Sequence, residues 1–196
     1  MSSEQPKSPE AEKKEALTNL FKKRSSPQRL FREEIESAQK ENENLTCEDD
    51  KLNPNVFWVS MRNGAHPDRV ELDETGRYIE IHSGERPKLE TFEYDEEGYI
   101  TRQGLIENAG QGWDRKFTYT TGPDGRKILS RLTVIRYDAA PREERDLKQV
   151  LPTDMSNTPT AMKRGAAIET QVVNFDSHGK PDNIIPLWVY GSQFRQ

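Results

Sequence analysis

Cysteine is almost missing: Cys47 is the only one in 196 residues. That excludes an intramolecular disulfide and any thiolate metal cluster. Cys47 sits beside Thr46, Glu48 and Asp49, and nearby acids raise a thiol pKa and make it a poor nucleophile. A structural role is expected. Long apolar runs are also missing. The best candidate, Ile184-Ile185-Pro186-Leu187-Trp188-Val189-Tyr190, is strand-sized and too short to span a bilayer. The opening Met1-Ser2-Ser3-Glu4-Gln5-Pro6 lacks the charged-then-apolar pattern of a signal peptide. These features predict a soluble, cytoplasmic chain with no membrane insertion. A net charge of −5 and a pI near 5.4 argue against a general nucleic-acid binder, which needs a basic face. Only 32% of residues are hydrophobic and as many are charged. A chain this polar is not expected to pack throughout.

Catalytic patterns are sparse too. The three histidines, His66, His82 and His178, lie in or beside turn-like stretches. None has a second histidine or cysteine at metal-ligand spacing. There is no Gly-x-Ser-x-Gly elbow and no Gly-x-x-x-x-Gly-Lys phosphate loop. The glycines of Asn108-Ala109-Gly110-Gln111-Gly112-Trp113 lack the strand–loop–helix setting of a nucleotide site. Carboxylates are plentiful at Asp73, Glu74, Asp95, Glu96, Glu97, Glu143 and Glu144. They fall on expected turn tips rather than flanking a cleft, and their spacing is not that of an EF-hand. No catalytic residue, metal or cofactor is implied, and a non-enzyme is expected.

The chain is instead organised around hairpin signals. Phe92-Glu93-Tyr94-Asp95-Glu96-Glu97-Gly98-Tyr99-Ile100 alternates into an Asp-x-x-Gly turn and out again. Related strings are Val70-Glu71-Leu72-Asp73-Glu74-Thr75-Gly76, Val173-Asn174-Phe175-Asp176-Ser177-His178-Gly179 and, one residue longer, Phe117-Thr118-Tyr119-Thr120-Thr121-Gly122-Pro123-Asp124-Gly125. Asp bonds its own backbone to start such a turn, and Gly supplies the positive φ that closes it. Tyr94-Asp95-x-x-Gly98 with Leu72-Asp73-x-x-Gly76 resembles the tyrosine–aspartate hairpin repeat of RHS-type proteins. The likeness spans roughly 66–138, with an isolated copy near 172–190. In that family many hairpins wind into a long β-sheet that encloses a toxin or forms an extended surface. The resemblance implies a hairpin sheet and a role beside an RHS-type system, as an accessory or immunity-like partner. This chain departs from the pattern: the copies are too few for a shell, the third reads Tyr119-Thr120, and no toxin region follows.

In chain order, residues 1–15 are Ser-, Pro-, Glu- and Lys-rich and are expected to form a disordered tail. A helical arm is expected over 16–43. Leu17, Leu20 and Phe21 share one helical face, and Lys22-Lys23-Arg24 closes that segment. Ser26 as N-cap and Pro27 at the first position restart a helix to about Asn42, with a stripe of Leu30, Phe31, Ile35 and Ala38. That stripe either packs on the β-body or docks a protein partner through Leu30, Phe31 and Ile35. Residues 44–54 read as an irregular linker. A β-meander domain is expected over 55–191, with a long polar loop at 138–166. Its strands are expected at 56–61, 69–72, 77–82, 89–94, 99–106, 115–121, 127–137, 168–175 and 184–190, with Asn63-Gly64 as the strongest two-residue turn. Apolar groups on both faces of 127–137 imply a bend, a bulge or two-sided burial. Pairing of 184–190 with 56–61 would remove two hydrophobic edges and close a barrel.

The expected fold is therefore all-β: an antiparallel meander, curled sheet or small barrel of about eight strands. The expected function is a non-catalytic protein-binding or assembly module. Its arm would bind through Leu30, Phe31 and Ile35, and its sheet through Trp113, a large aromatic in a glycine-flanked loop. The alternative is a small-ligand-binding barrel, or an uncharacterised enzyme, with a cavity lined by Trp58, Phe92, Tyr119 and Trp188.

Overall fold

The computed structural model describes residues 8–61, 66–83, 88–107, 110–139 and 165–183. Two helices, α1 (Pro9–Arg24) and α2 (Phe31–Glu41), precede nine strands. These are β1 (Leu45–Asp49), β2 (Val56–Met61), β3 (Asp68–Leu72), β4 (Tyr78–Ser83), β5 (Lys88–Tyr94), β6 (Ile100–Ile106), β7 (Gly112–Thr121), β8 (Lys127–Tyr137) and β9 (Ala167–Asn174). Every strand pairs antiparallel with its neighbour in sequence, so the sheet is a meander in the order β1 to β9. Asn63-Gly64, the strand expected at 184–190 with Trp188 and most of the 138–166 excursion lie outside the described residues.

The hairpin chemistry is as the sequence implies. Asp95 Oδ1 accepts the backbone N–H of Glu97 at 3.1 Å and of Tyr99 at 2.9 Å. Asp73 accepts from Thr75 and Arg77, and Asp176 from His178 and Lys180, in the same way. Gly76 and Gly98 both have φ of 85°, the left-handed region that a side chain disfavours. Alternate connections of a meander fall at one end, so the turns at 73–76, 95–98, 122–125 and 176–179 form a row along one end of the sheet.

The arm runs past that row in the reverse direction. Phe21 packs against Gly179, leaving no room for a Cβ there. The Ser25 hydroxyl accepts the Leu129 N–H at 3.0 Å. Gln28 N–H then donates to the Gly98 carbonyl at 2.9 Å, and Phe31 N–H to that of Gly76 at 3.0 Å. These bonds explain a correction. The helix expected from Ser26 and Pro27 begins instead at Phe31, with Leu30 as an N-cap that makes no side-chain bond. The backbone of 28–31 satisfies itself on the hairpin turns, and the Ser-Pro signal yields. Of the tail expected over 1–15, residues 1–7 lie outside the described residues, and the part from Pro9 is corrected: α1 begins there, with Ser8 accepting the Ala11 N–H. A capped first turn, acids at Glu10 and Glu12, and burial of Leu17 on the sheet outweigh the polar composition.

Residues 45–49 are not irregular linker but β1, which covers the outer edge of β2. The Thr46 hydroxyl hydrogen-bonds to Ser60, and Gln39 of α2 donates to the Leu45 carbonyl. An uncovered apolar β2 would be an exposed edge, and a short acidic strand protects it. Because β2 is flanked by β1 and β3, it has no free edge for residues 184–190. The expected closure onto Val56–Met61 is therefore excluded, and the sheet is open among the described residues.

Residues directly opposite each other across strands share a face. Phe57, Val70, Ile81, Glu90, Leu105, Trp113 and Arg136 run in register across one face. Trp58, Arg69, His82, Leu89, Ile106, Gly112 and Tyr137 run across the other. Both helices pack on the first. One cluster joins Leu17 of α1 to Ile100, Phe117, Leu129, Leu132 and Val173. A second joins Phe31 of α2 to Phe57, Val70 and Leu72. The doubled apolar faces of 127–137 resolve into a bulge: Thr118 pairs with Arg131 but Tyr119 with Leu129, which returns Leu129 to the face of Leu132 and Val134.

Candidate functional site

Trp113 was expected in a loop. It lies instead in β7, opposite Leu105 of β6 and Arg136 of β8, because β7 begins at Gly112 and takes in the end of the glycine-flanked stretch. Gly112 has a structural reason to lack a side chain, since a Cβ there would run into the Leu105 carbonyl. The Arg115 guanidinium stacks 4.1 Å from the Trp113 ring centroid. Burial first, and the nearby Arg24 second, lower the Arg115 pKa to about 9 against the opposing pull of Glu90. Arg115 stays cationic at neutral pH.

Beside Trp113, at the sheet end opposite the row of aspartate turns, is a cavity of about 330 Å³. Its walls include Leu105, Trp113, Tyr137 and Ile168, with Glu107, Arg136 and Asp138 contributing charge. Trp113 and Arg136 belong to the helix-bearing face and Tyr137 to the other, so the cavity wraps the strand ends. Backbone bonds close this end. Gly110 N–H donates to Glu107, Gly165 N–H to Gly110, and Asp138 N–H to Ala166. Tyr137 is held from behind, its hydroxyl donating to Asp114 Oδ2 at 3.1 Å. Asp114 is 1% exposed and pairs with Arg102 at 2.7 Å, which also meets Glu93 at 2.9 Å. The Arg136 guanidinium stands 3.9 Å from Glu169 Oε2 across the β8–β9 pair. Asp138 Oδ1 accepts the Ala139 N–H, and both Asp138 and Glu107 are exposed to solvent.

Compared with known families, characterised proteins and solved structures, this chain matches none. The site must therefore be read from its own geometry.

The other expected site residues fall elsewhere. Phe31 is 1% exposed, tilted against Phe57 at 4.9 Å and edge-on to Tyr78 at 5.5 Å. Ile35 packs against the same cluster. Leu30 alone of the three points outward, at 39% exposed. The stripe thus packs on the β-body, the first of the two readings open from sequence. The expected cavity set does not converge. Trp58 is on the helix-free face with its indole N–H donating to Asp50 at 2.9 Å. Phe92 and Tyr119 are on the helix face, packed against the core, and the Tyr119 hydroxyl donates to the Ile100 carbonyl at 2.7 Å. Trp188 lies outside the described residues. The sheet itself separates Trp58 from Phe92 and Tyr119, and none of the three is at the strand ends where a cavity reaches both faces.

Among the described residues no group of three or more His, Cys, Asp or Glu could hold a metal ion, and no helix is long and apolar enough to cross a membrane. Cys47 is half-buried, and burial followed by the Asp49 charge raises its pKa.

Sequence reasoning missed Tyr137, Glu107 and Asp138 because they reach the cavity through non-local pairing of β6, β7 and β8. One signal was available. Trp113, Arg115, Phe117 and Tyr119 alternate along one face, and a cation inside an aromatic stripe marks a charge sheltered by rings.

Proposed function

We propose that this chain is a non-catalytic protein-binding module that engages its partner at the Trp113 end of the sheet. One observation carries the reading: a cavity of about 330 Å³, walled by Trp113 and Tyr137 and rimmed by charge, with no helix residue among its described lining. Aromatic side chains at the centre of a pocket with a polar rim are the usual energetic focus of a protein interface. The arm contributes to partner binding through its outer surface only, where Leu30 is the exposed apolar group. The resemblance to RHS-type hairpins supports a narrower version, an accessory or immunity-like partner of such a system, on its motifs alone.

A small-ligand reading rests on the same cavity, whose volume falls at the low end of small-molecule pockets at roughly 300 Å³. The test uses the full chain, because Leu17 and Phe31 belong to the core. Wild type, Trp113→Ala and Leu30→Ala are compared by affinity capture and mass spectrometry, with circular dichroism to confirm folding. A partner lost with Trp113→Ala alone supports the proposal. Equal capture by all three places the interface elsewhere, and turnover of a metabolite without any captured partner overturns the non-catalytic reading.

A further inference from the structure

We infer that the Trp113 cavity accepts the side chain of a lysine or arginine presented by an extended segment of the partner. This deepens the binding-module reading and rests on it.

Two kinds of surface meet in the cavity. The apolar kind comes from Leu105, Ile168 and the rings of Trp113 and Tyr137. The ionic kind is two carboxylates, Glu107 and Asp138, and one guanidinium, Arg136. Arg136 already faces Glu169 at 3.9 Å across the strand pair. The two carboxylates have no cation within ion-pair distance among the described residues. Among the described lining residues two carboxylates stand against one guanidinium, so the surplus charge is negative. A guest that satisfies both surfaces has an apolar stem and a cationic head, which describes lysine and arginine. Acidic or purely apolar guests satisfy one surface and strand the other.

Trp113 adds a second argument. The Arg115 guanidinium already lies on one ring face, and Arg115 is not among the residues lining the cavity. Trp113 thus meets the cavity with a part of its ring that Arg115 does not occupy. The indole already holds one cation by its π-face, and its exposed part offers the stem of the guest an aromatic wall. Tyr137 is locked by Asp114 and needs no reordering to receive it.

The test uses the full-length protein labelled with ¹⁵N and capped five-residue glycine peptides carrying lysine, arginine, norleucine or glutamate at the centre. The readout is the Trp113 indole N–H resonance, assigned by its loss in Trp113→Phe. Lysine and arginine peptides are expected to shift it saturably. Norleucine, which has the stem without the charge, and glutamate are expected to bind at least tenfold more weakly. The variant Glu107→Gln/Asp138→Asn, altered only at exposed positions, is expected to weaken the lysine peptide several-fold and to flatten its salt dependence. A norleucine peptide that binds as well as lysine overturns the inference in favour of an apolar guest. A preferred glutamate peptide overturns it in favour of an anion held by Arg136. No shift with any peptide also overturns it. The binding-module reading fails separately, when Trp113→Ala captures the same partners as wild type.

Discussion

Substituting Phe31→Ala tests whether the N-terminal arm is part of the folded body or a detachable docking element. Phe31 is buried, touches the rings of Phe57 and Tyr78, and closes the cluster formed with Val70 and Leu72. Truncating a buried phenylalanine removes its transfer energy and leaves a cavity, at a cost of about 3–5 kcal/mol. The two ring contacts contribute about 0.5–1.5 kcal/mol each within that total. Little relaxation is available to fill the space, because the helix start is tied by the Phe31 N–H to Gly76 and by Glu34 to Tyr78 at 2.7 Å and to Gln28 at 2.7 Å. For a chain of this size such a loss lowers Tm by roughly 6–20 °C. The control is Leu30→Ala, one residue earlier and 39% exposed, expected to cost under about 1 kcal/mol. Urea unfolding followed by circular dichroism gives both values. A Phe31→Ala cost below about 1 kcal/mol, equal to that of Leu30→Ala, would refute the packing argument and return Phe31 to the role of a partner contact.

Three further outcomes follow from the same structure. Gly112→Ala should cost more than about 2 kcal/mol and alter Trp113 fluorescence, because the added Cβ meets the backbone carbonyl of Leu105 rather than a movable side chain. An unchanged unfolding midpoint would count against the observed β6–β7 register. Tyr94→Phe should be neutral or stabilising by up to about 1 kcal/mol in urea unfolding, since the buried Tyr94 hydroxyl has no hydrogen-bond partner among the described residues; a clear loss would mean that the hydroxyl is satisfied. The backbone N–H of Lys180, followed by that of His178, holds the Asp176 carboxyl below its ordinary value despite a smaller opposing effect of burial. A folded-state pKa below the unfolded one contributes stability that is present above about pH 4 and lost as pH falls through the folded value. Asp176→Asn should therefore reduce the slope of the urea midpoint below pH 4 and leave the slope from pH 7 to 5 the same as in wild type. An identical acid slope in the variant would refute this role for Asp176.

Local chemistry accounts for the parts of the fold that were legible in advance. Asp73, Asp95 and Asp176 bond the backbone within their own turns, so the hairpins at 73–76, 95–98 and 176–179 can be placed from a few residues each. The strands between them follow from alternation, and β8 matches its expected bounds of 127–137. The bulge that moves Leu129 to the core face is one of the three outcomes, with a bend and two-sided burial, that apolar groups on both sides of that strand left open. The misplaced elements share a different property: partners distant in sequence decide them. The start of α2 moved from Ser26 to Phe31 because Gly76 and Gly98 carbonyls take the arm's N–H groups. Residues 45–49 became a strand because β2 needs an edge partner. The candidate site behaves likewise. Trp113 was singled out as an aromatic among glycines, but its companions Tyr137, Glu107 and Asp138 are brought to it only by the β6–β7–β8 pairing.

The sequence by itself determined an antiparallel meander, its turn row and the absence of local metal-ligand or nucleophile motifs, because each depends on interactions within a few residues. Tertiary structure alone decided that the arm is core rather than tether, that β2 has no free edge, and that an aromatic cavity with an acidic rim forms at one end of the sheet. Those outcomes depend on which faces and edges remain to be covered once the hairpins have formed, and no single segment carries that information.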